Sequence, residues 1–367
     1  MGKIKILYVI KGIGVNGITK VAFSYYDLLD KNKYSVDFVS GEDYLEDYKN
    51  KVENNGNHFW IIKGRDKNII EYIKKLKKII RMENYDIVHV HGNSTMIFPE
   101  LLAAKLGGTR IRIAHSHNTY GNHPKLVPIV RPLFDRLYTE GLACSKEAGR
   151  WMFKEKKFEI INNGINTDDY KFSLELREKY RTQLDIKSNE VLIGNVAAMT
   201  PVKNQKYLLD LLKELLIDGK QVKLLLVGEG ELFYENKEYA RKMEVLDNVI
   251  FYGKTNYVNE IMNAMDIFMF PSFYEGLGIV LIEAQASGML CVANDKIPKE
   301  SNLNGKICFL PLEEENNWKE QVSSCKMYDR SDESNKNINC IKENGYELKD
   351  CVKKLEEFYD TIYKKVE

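Results

Sequence analysis

No stretch of the 367-residue chain approaches the ~20 consecutive apolar residues that a membrane-spanning helix requires. The opening segment MGKIKILYVIKGIG has only a short apolar run, broken by glycines, and reads as a first buried strand rather than a signal peptide. The six cysteines (144, 291, 308, 325, 340 and 351) include no CxxC pair, and four lie beyond position 300. That spacing argues against a zinc site or a disulfide frame and for a reducing cytoplasm. Short-period repeats and low-complexity segments are absent. So is any bulk charge: 54 Lys+Arg stand against 53 Asp+Glu, which excludes a polycation. What is present is core material, 44% hydrophobic and 11% aromatic, in a chain long enough for roughly two domains.

The near-neutral total hides an asymmetry. Residues 1–190 hold 32 basic and 24 acidic side chains, a balance of +8, whereas 191–367 hold 22 and 29, a balance of −7. A basic half can face phosphates or an anionic membrane, or simply present solvated lysines.

Short apolar runs alternate with longer amphipathic stretches, the pattern of βα units around parallel sheets. Strands are expected at Ile4–Ile10, Val36–Ser40, Phe59–Ile62, Ile87–His91, Ile111–His115, Leu142–Cys144 and Glu159–Ile161. A second series covers Val191–Ala197, Lys223–Val227, Val249–Tyr252, Ile267–Phe270 and Leu290–Ala293. Helical spacing marks Thr19–Leu29, Ile69–Arg81 and Pro99–Leu106, while Glu313–Asn339 is polar and weakly patterned and reads as irregular. The fold class is therefore α/β, with two doubly wound Rossmann-like domains facing a central cleft. The expected organisation is a domain over 1–165, a linker over 166–190 around the turn-rich NNGINTDD, a second domain over 191–345 and a final helix over 346–367.

In open parallel sheets ligands gather beyond the carboxyl ends of the strands. Polar and glycine residues stand there. Gly12, Gly14, Asn16 and Gly17 follow the first strand, and two His-x-His pairs (89 and 91, 115 and 117) end two others. In the second half the corresponding residues are Gly228-Glu229-Gly230 and the run from Pro271 to Gly278. The most informative segment is Phe270–Gly288, in which Glu275 and Glu283 flank a Gly-x-Gly turn and an apolar run. Ionised carboxylates suit vicinal sugar hydroxyls, and free amides at Gly276, Leu277 and Gly278 suit phosphate or hydroxyl oxygens. Two glutamates at this spacing also arise by chance, so the surrounding sequence must carry the argument.

In that context the chain resembles the retaining, GT-B-fold glycosyltransferases of family 4, of the capsule and exopolysaccharide type. The likeness spans nearly the whole chain through HVHG (89–92), AHSHN (114–118), NNGIN (162–166), Lys203-Asn204, LVGEGE (226–231), VIFYGK (249–254) and the Glu-x7-Glu segment. The resemblance implies a nucleoside diphosphate sugar donor and a final helix that returns to the N-terminal domain. It implies no resident cofactor or metal. By resemblance, Glu275 contacts the donor sugar, Glu283 the ribose, and the amides of Gly276 to Gly278 the sugar or phosphate. Gly253 and Lys254 stand where the base is read, Gly228 and Gly230 border the nucleotide pocket, and Lys203 neutralises the leaving diphosphate. His117 matches the active-site histidine, leaving His89 and His115 as supporting residues.

Two departures stand out. Asn16-Gly17 replaces the usual Gly-Gly turn near the pyrophosphate, with Asn able to adopt a left-handed conformation. The arginine that commonly precedes the lysine is replaced by Ala197 or Ala198, leaving Lys254 and Lys20 as candidate second cations. Retention further implies that the departing β-phosphate takes the acceptor proton, so no carboxylate base is required.

The basic half gives the acceptor side. The segment NIIEYIKKLKKIIR (68–81) places Ile69, Ile70, Ile73, Leu76 and Ile80 on one stripe, with Lys74, Lys75, Lys77, Lys78 and Arg81 largely elsewhere. Its alternatives are a core-packed helix with a solvated face and a surface for anionic lipid, which suits a polyprenyl-linked glycan acceptor. No nucleic-acid-binding module accompanies the charge. The resulting expectation is a cytoplasmic enzyme, peripheral on the membrane, that transfers a hexose-type sugar to a lipid-linked glycan. The alternatives are a GT-B-fold sugar-nucleotide epimerase and a catalytically degenerate homologue that binds a nucleotide sugar or a partner protein.

Overall fold

The apolar runs become strands buried from both sides, because helices cover both faces of two all-parallel sheets. A computed structural model describes residues 2–14, 16–118, 126–325 and 329–366. The chain divides into two units, Met1–Gly164 with Leu348–Glu367, and Ile165–Glu347.

Unit 1 holds β1 (Ile4–Ile10), β2 (Tyr34–Ser40), β3 (Phe59–Ile61), β4 (Ile87–Gly92), β5 (Ile111–Ser116), β6 (Glu140–Ala143) and β7 (Glu159–Ile160). Their order is β3-β2-β1-β4-β5-β6-β7. Alternation sends Ile6, Tyr8 and Ile10 to one face, against the helices Gly17–Leu28 and Leu348–Lys364, and Leu7 and Val9 to the other. The final helix buries Leu348, Cys351, Val352, Leu355, Tyr359 and Ile362, a stripe of three- and four-residue steps. Where the chain leaves this unit, Gly164 packs so closely that a Cβ there would lie 2.8 Å from both Leu348 Cα and Cys351 Sγ. Only glycine fits.

Unit 2 holds β8 (Val191–Val196), β9 (Val222–Val227), β10 (Val249–Gly253), β11 (Ile267–Phe270), β12 (Leu290–Asn294) and β13 (Cys308–Leu310), in the order β10-β9-β8-β11-β12-β13. The short edge strand β13 goes beyond the sequence expectation.

Three further expectations need correction. Residues 166–190 are not a free linker: they carry the helix Leu174–Gln183, capped by Ser173, and belong to unit 2. The buried Asp266 carboxylate holds that helix by pairing with Arg177 and with Arg181 (2.9 Å) while accepting from Leu192 N (2.7 Å). The segment Glu313–Asn339 contains the helix Glu315–Ser324 and most of Ser331–Glu343. Sparse apolar anchors suffice there, because fully buried Trp318 packs edge-on to Tyr207 and donates to Pro311 O (3.0 Å). In the basic helix, Ile69–Glu83, the buried stripe is Tyr72, Leu76 and Ile80. Ile69 and Ile70 occupy its first turn and are exposed, Ile70 at 65%.

Both sheets reverse strand order at one point, β1/β4 in unit 1 and β8/β11 in unit 2, the position at which open α/β sheets bind their ligands. In unit 2 the β8–β11 ladder stops at Ile193↔Ile267 and Gly194↔Phe268. Beyond it Asn195 Nδ2 reaches Met269 O at 2.8 Å, so a side chain replaces the ladder just below the loops.

Leu355→Ala in the final helix is expected to lower the unfolding free energy of unit 1 by about 2–5 kcal/mol, read from urea titration. A loss under about 1 kcal/mol would mean that the helix merely rests on the sheet.

Candidate active site

The unit 2 site grows from the loops after β8, β9, β10 and β11. Phe273 N donates to Val202 O (2.9 Å) and Asn204 Nδ2 to Pro271 O (3.4 Å), which ties the β8 loop to the β11 loop. Asn204 takes a left-handed conformation (φ 52°) and starts the helix Gln205–Ile217. This stitching brings Lys203 Nζ to 2.5 Å from Glu275 Oε1, with the two side chains only 23% and 14% exposed. A cation and a carboxylate, 72 residues apart in sequence, therefore meet at the switch point.

Glycine makes the neighbouring wall. Gly228 has φ +132°, and a Cβ on it would lie 2.1 Å from Ala197 O; one on Gly230 would lie 2.4 Å from Met199 O. The β9 loop is thus pressed onto the β8 loop backbone, and Met199 N donates to Glu229 O (3.0 Å). Gly228 N also donates to Gly253 O (2.8 Å), which brings in the end of β10. Lys254 is exposed just beyond it. Gly278, at φ +76°, turns the chain into the helix Ile279–Ala286, so the amides after Glu275 sit at a helix N-terminus. Leu277 is buried beneath them. Glu283 is 2% exposed within that helix. Ala198 is exposed and Ala197 half-buried, at the positions where the resembled enzymes have an arginine.

In unit 1, Asn16 is extended (φ −147°, ψ 161°) and not left-handed. Its side chain caps the Gly17–Leu28 helix by accepting from Thr19 N (2.9 Å). The replacement of glycine is therefore a capping choice rather than a strained turn. A Cβ at Gly17 would meet nothing within 4 Å, so backbone access there is open. Lys20 is exposed one turn along.

Strand alternation puts His89, His91, His115 and His117 on one face, as the His-x-His spacing predicts. His123 lies outside the described residues. The rings form an array with centroids 4.2 Å apart for His89–His91 and 4.0 Å for His115–His117. Hydrogen bonds cross it from His89 Nε2 to His115 Nδ1 (3.0 Å) and from His91 Nδ1 to His117 Nε2 (2.9 Å). Tyr359 of the final helix extends the first line, with its hydroxyl 2.7 Å from His89 Nδ1 and 2.9 Å from Tyr8 Oη. Sequence reasoning missed this residue, and its place in the buried helical stripe was the only signal.

Tyr8, Tyr359, His89 and His115 thus form one buried hydrogen-bonded line that joins β1, the final helix, β4 and β5. Burial holds His89, His91 and His115 well below the usual imidazole range, reinforced by the neighbouring rings. Burial also pushes His117 down to about 4, against the Asn163 side chain, which favours the charged ring.

A metal ion does not fit this set. One nitrogen each of His89, His91 and His115 falls within 4.8 Å of the others, but both His89 nitrogens are engaged. The His89 and His91 planes differ by only 15°, so their in-plane lone pairs run side by side instead of converging.

Comparison with known proteins follows the same division. The model "Glycosyltransferase Family 4" matches residues 15–169, and "Glycosyl transferases group 1" matches 177–323. The chain is 30% identical over 324 residues to the putative glycosyltransferase EpsF of Bacillus subtilis, covering 84% of each protein. It is 27% identical over 332 residues to the Escherichia coli UDP-Gal:alpha-D-GlcNAc-diphosphoundecaprenol alpha-1,3-galactosyltransferase, covering 85% of this chain and 82% of that protein. Its fold matches Anabaena HepE, crystallised with UDP and glucose, at TM-score 0.79 and 17% identity, over 97% of this chain and 99% of that one.

The neutral histidine array sets an acid limit. Between pH 6.5 and about 4 the unfolded chain binds a proton at His117 that the folded chain does not, so stability is complete above 6.5 and falls as pH drops through the window. His117 alone is expected to cost about 3 kcal/mol across it. Urea midpoints of wild type and His117→Gln between pH 7.5 and 4.5 should converge on acidification; parallel curves would contradict the assignment.

Proposed function

The chain belongs to glycosyltransferase family 4, a retaining family of the GT-B fold that uses nucleotide-sugar donors, and on that premise we propose that it moves a hexose-type sugar onto a lipid-linked glycan during surface polysaccharide assembly. The observation that carries this reading is the contact of Lys203 with Glu275 at the unit 2 switch point, bordered by the glycine wall. In this reading Lys203 leaves its resting partner for the β-phosphate, and Glu275 accepts hydrogen bonds from donor-sugar hydroxyls. Glu283 serves the ribose, and Gly253 with Lys254 borders the base. The amides of Gly276 to Gly278 hold sugar or phosphate oxygens, Asn16 and Gly17 leave room for the pyrophosphate, and His117 faces the reacting sugar.

The acceptor hydroxyl attacks the anomeric carbon from the face that the nucleotide leaves. A new C–O bond forms as the bond to the β-phosphate oxygen breaks, and the acceptor proton passes to that departing oxygen. Stabilising the developing phosphate charge is the largest task, and one removed donor typically costs about 100-fold in rate.

The E. coli relative, whose name specifies UDP-galactose and a diphosphoundecaprenol-linked sugar, supports a UDP-sugar and a polyprenyl-linked acceptor as the first substrates to test. Among the described residues no helix is long and apolar enough to cross a membrane. We place the enzyme in the cytoplasm, peripheral on the membrane. Exposed Ile69 and Ile70, with Lys74, Lys75, Lys78 and Arg81 also exposed on the same helix, support an anionic-lipid contact.

Incubation with UDP- and GDP-hexoses and undecaprenyl-diphosphate-linked sugars should release nucleoside diphosphate and label the lipid phase. Lys203→Ala and Glu275→Ala should each lower turnover about 100-fold and be non-additive together. Binding without release would support the degenerate homologue, to which the alanines at 197 and 198 point, and interconversion of the free sugar would support an epimerase. Vesicles containing phosphatidylglycerol should retain the wild type and lose a variant with Lys74, Lys75 and Lys78 replaced by Gln. Equal retention would reject the membrane contact.

A further inference from the structure

Strand β11 leads to Glu275, but its main-chain pairing ends before the chain reaches that residue. On the β8 side the ladder stops at Gly194↔Phe268, and on the β12 side at Phe270↔Ala293. The next residue on each flanking strand is an asparagine, Asn195 on one side and Asn294 on the other, and each is 1% exposed. Asn195 Nδ2 donates to Met269 O (2.8 Å) and Asn294 Nδ2 to Ser272 O (2.9 Å). A third carboxamide, Asn204 of the β8 loop, donates to Pro271 O (3.4 Å).

Three side chains therefore reach the carbonyls between Met269 and Ser272 from both sides of the strand, where backbone partners run out. Buried carbonyls need donors, and Pro271 has no N–H of its own to continue a ladder. A carboxamide suits the task because it is short and neutral, and its oxygen stays available for a second bond. Asn294 Oδ1 uses it to accept from Lys296 N (3.3 Å). Further rungs of ladder would also hold this segment, but they would keep it extended. Side-chain donors let it leave strand geometry while staying fixed.

The held segment carries both members of the ion pair. Val202 O accepts from Phe273 N (2.9 Å) and Asn204 Nδ2 bonds Pro271 O, so the residues on either side of Lys203 are tied to the chain that leads to Glu275. We propose that Asn195, Asn204 and Asn294 form a carboxamide clamp that sets the approach of Glu275 to Lys203, which makes them positioning residues for sugar transfer. The inference rests on the glycosyltransferase reading for the reaction it serves, while its geometry is tested without turnover.

Acetic anhydride labelling of the full chain, read at Lys203 by mass spectrometry, reports whether the ammonium keeps its carboxylate. Glu275→Gln should raise labelling of Lys203. Asn195→Ala and Asn294→Ala should each raise it too, and Asn195→Ala combined with Glu275→Gln should label as Glu275→Gln does alone, since the clamp acts through the pair. Asn195→Asp, equal in shape but without the N–H donors, should match Asn195→Ala. As a control for lost stability, Asn263→Asp makes the same exchange at a fully buried unit 2 amide that donates to Asn259 O (2.9 Å). It should lower the urea midpoint and leave Lys203 labelling as in wild type. In UDP-hexose turnover, Asn195→Ala should lower kcat about 10- to 100-fold with an unchanged donor KM, as expected when reacting groups are misplaced. Unchanged labelling in Glu275→Gln or in both folded alanine variants, additive labelling in the double variant, or a raised KM with wild-type kcat would overturn the clamp. Labelling as expected with no nucleotide release by wild type sinks the transferase reading instead.

Discussion

A parallel strand can pair with its neighbour only after the chain has crossed back over the sheet, and this one constraint organises both units. Every crossover returns to the same edge, so every strand delivers its following loop to the opposite one. The sheet interior then has nothing to do with chemistry, and the loops at the carboxyl edge have nothing to do with pairing. Lys203 and Glu275, 72 residues apart, meet because β8 and β11 are neighbours at the reversal of strand order. The four histidines meet for the same reason, with β4 beside β5 in a register that sets His91 opposite His115.

Much of this was legible in the residues. Apolar runs such as Ile4–Ile10 and Ile267–Phe270 became strands with those same bounds, because a strand covered on both faces needs little beyond continuous hydrophobicity. Pairs separated by one residue, such as His115 and His117, announced a shared face. Elements held by single large anchors were not legible. The helix around Trp318 has too few apolar positions for periodicity to emerge, and its stability depends on a ring buried against Tyr207, far away in sequence. The 166–190 segment misled for a related reason: polar residues suggest a linker, yet its arginines are inward-facing partners of Asp266. The left-handed conformation open to Asn16 is not the one it takes, because the extended residue lets its side-chain oxygen accept from Thr19 N and cap the helix. At the candidate site, spacing indicated which residues reach the carboxyl edge, but which side chains bond which carbonyls there depends on packing that no local pattern encodes.

The two halves resolve charge differently. Unit 2 pairs it, as Lys203 and Glu275 neutralise each other. Unit 1 suppresses it, since burial disfavours the charged form of four imidazoles in a row. The chain-wide charge balance, near zero, reflects neither arrangement.

The returning helix has a consequence in time as well as in space. Tyr359 completes the hydroxyl and imidazole line that begins on β1, yet it lies beyond all of unit 2 in the order of synthesis. While a ribosome is still making residues 165–347, the first sheet has emerged with Tyr8 and His89 lacking their common partner and with the hydrophobic strip for Leu348–Lys364 uncovered. Translation therefore assembles the unit that was started first only after the other has been made. A chain cut short anywhere in its second half leaves a nascent sheet with a sticky face, a substrate for chaperones and proteases rather than an independent half-enzyme.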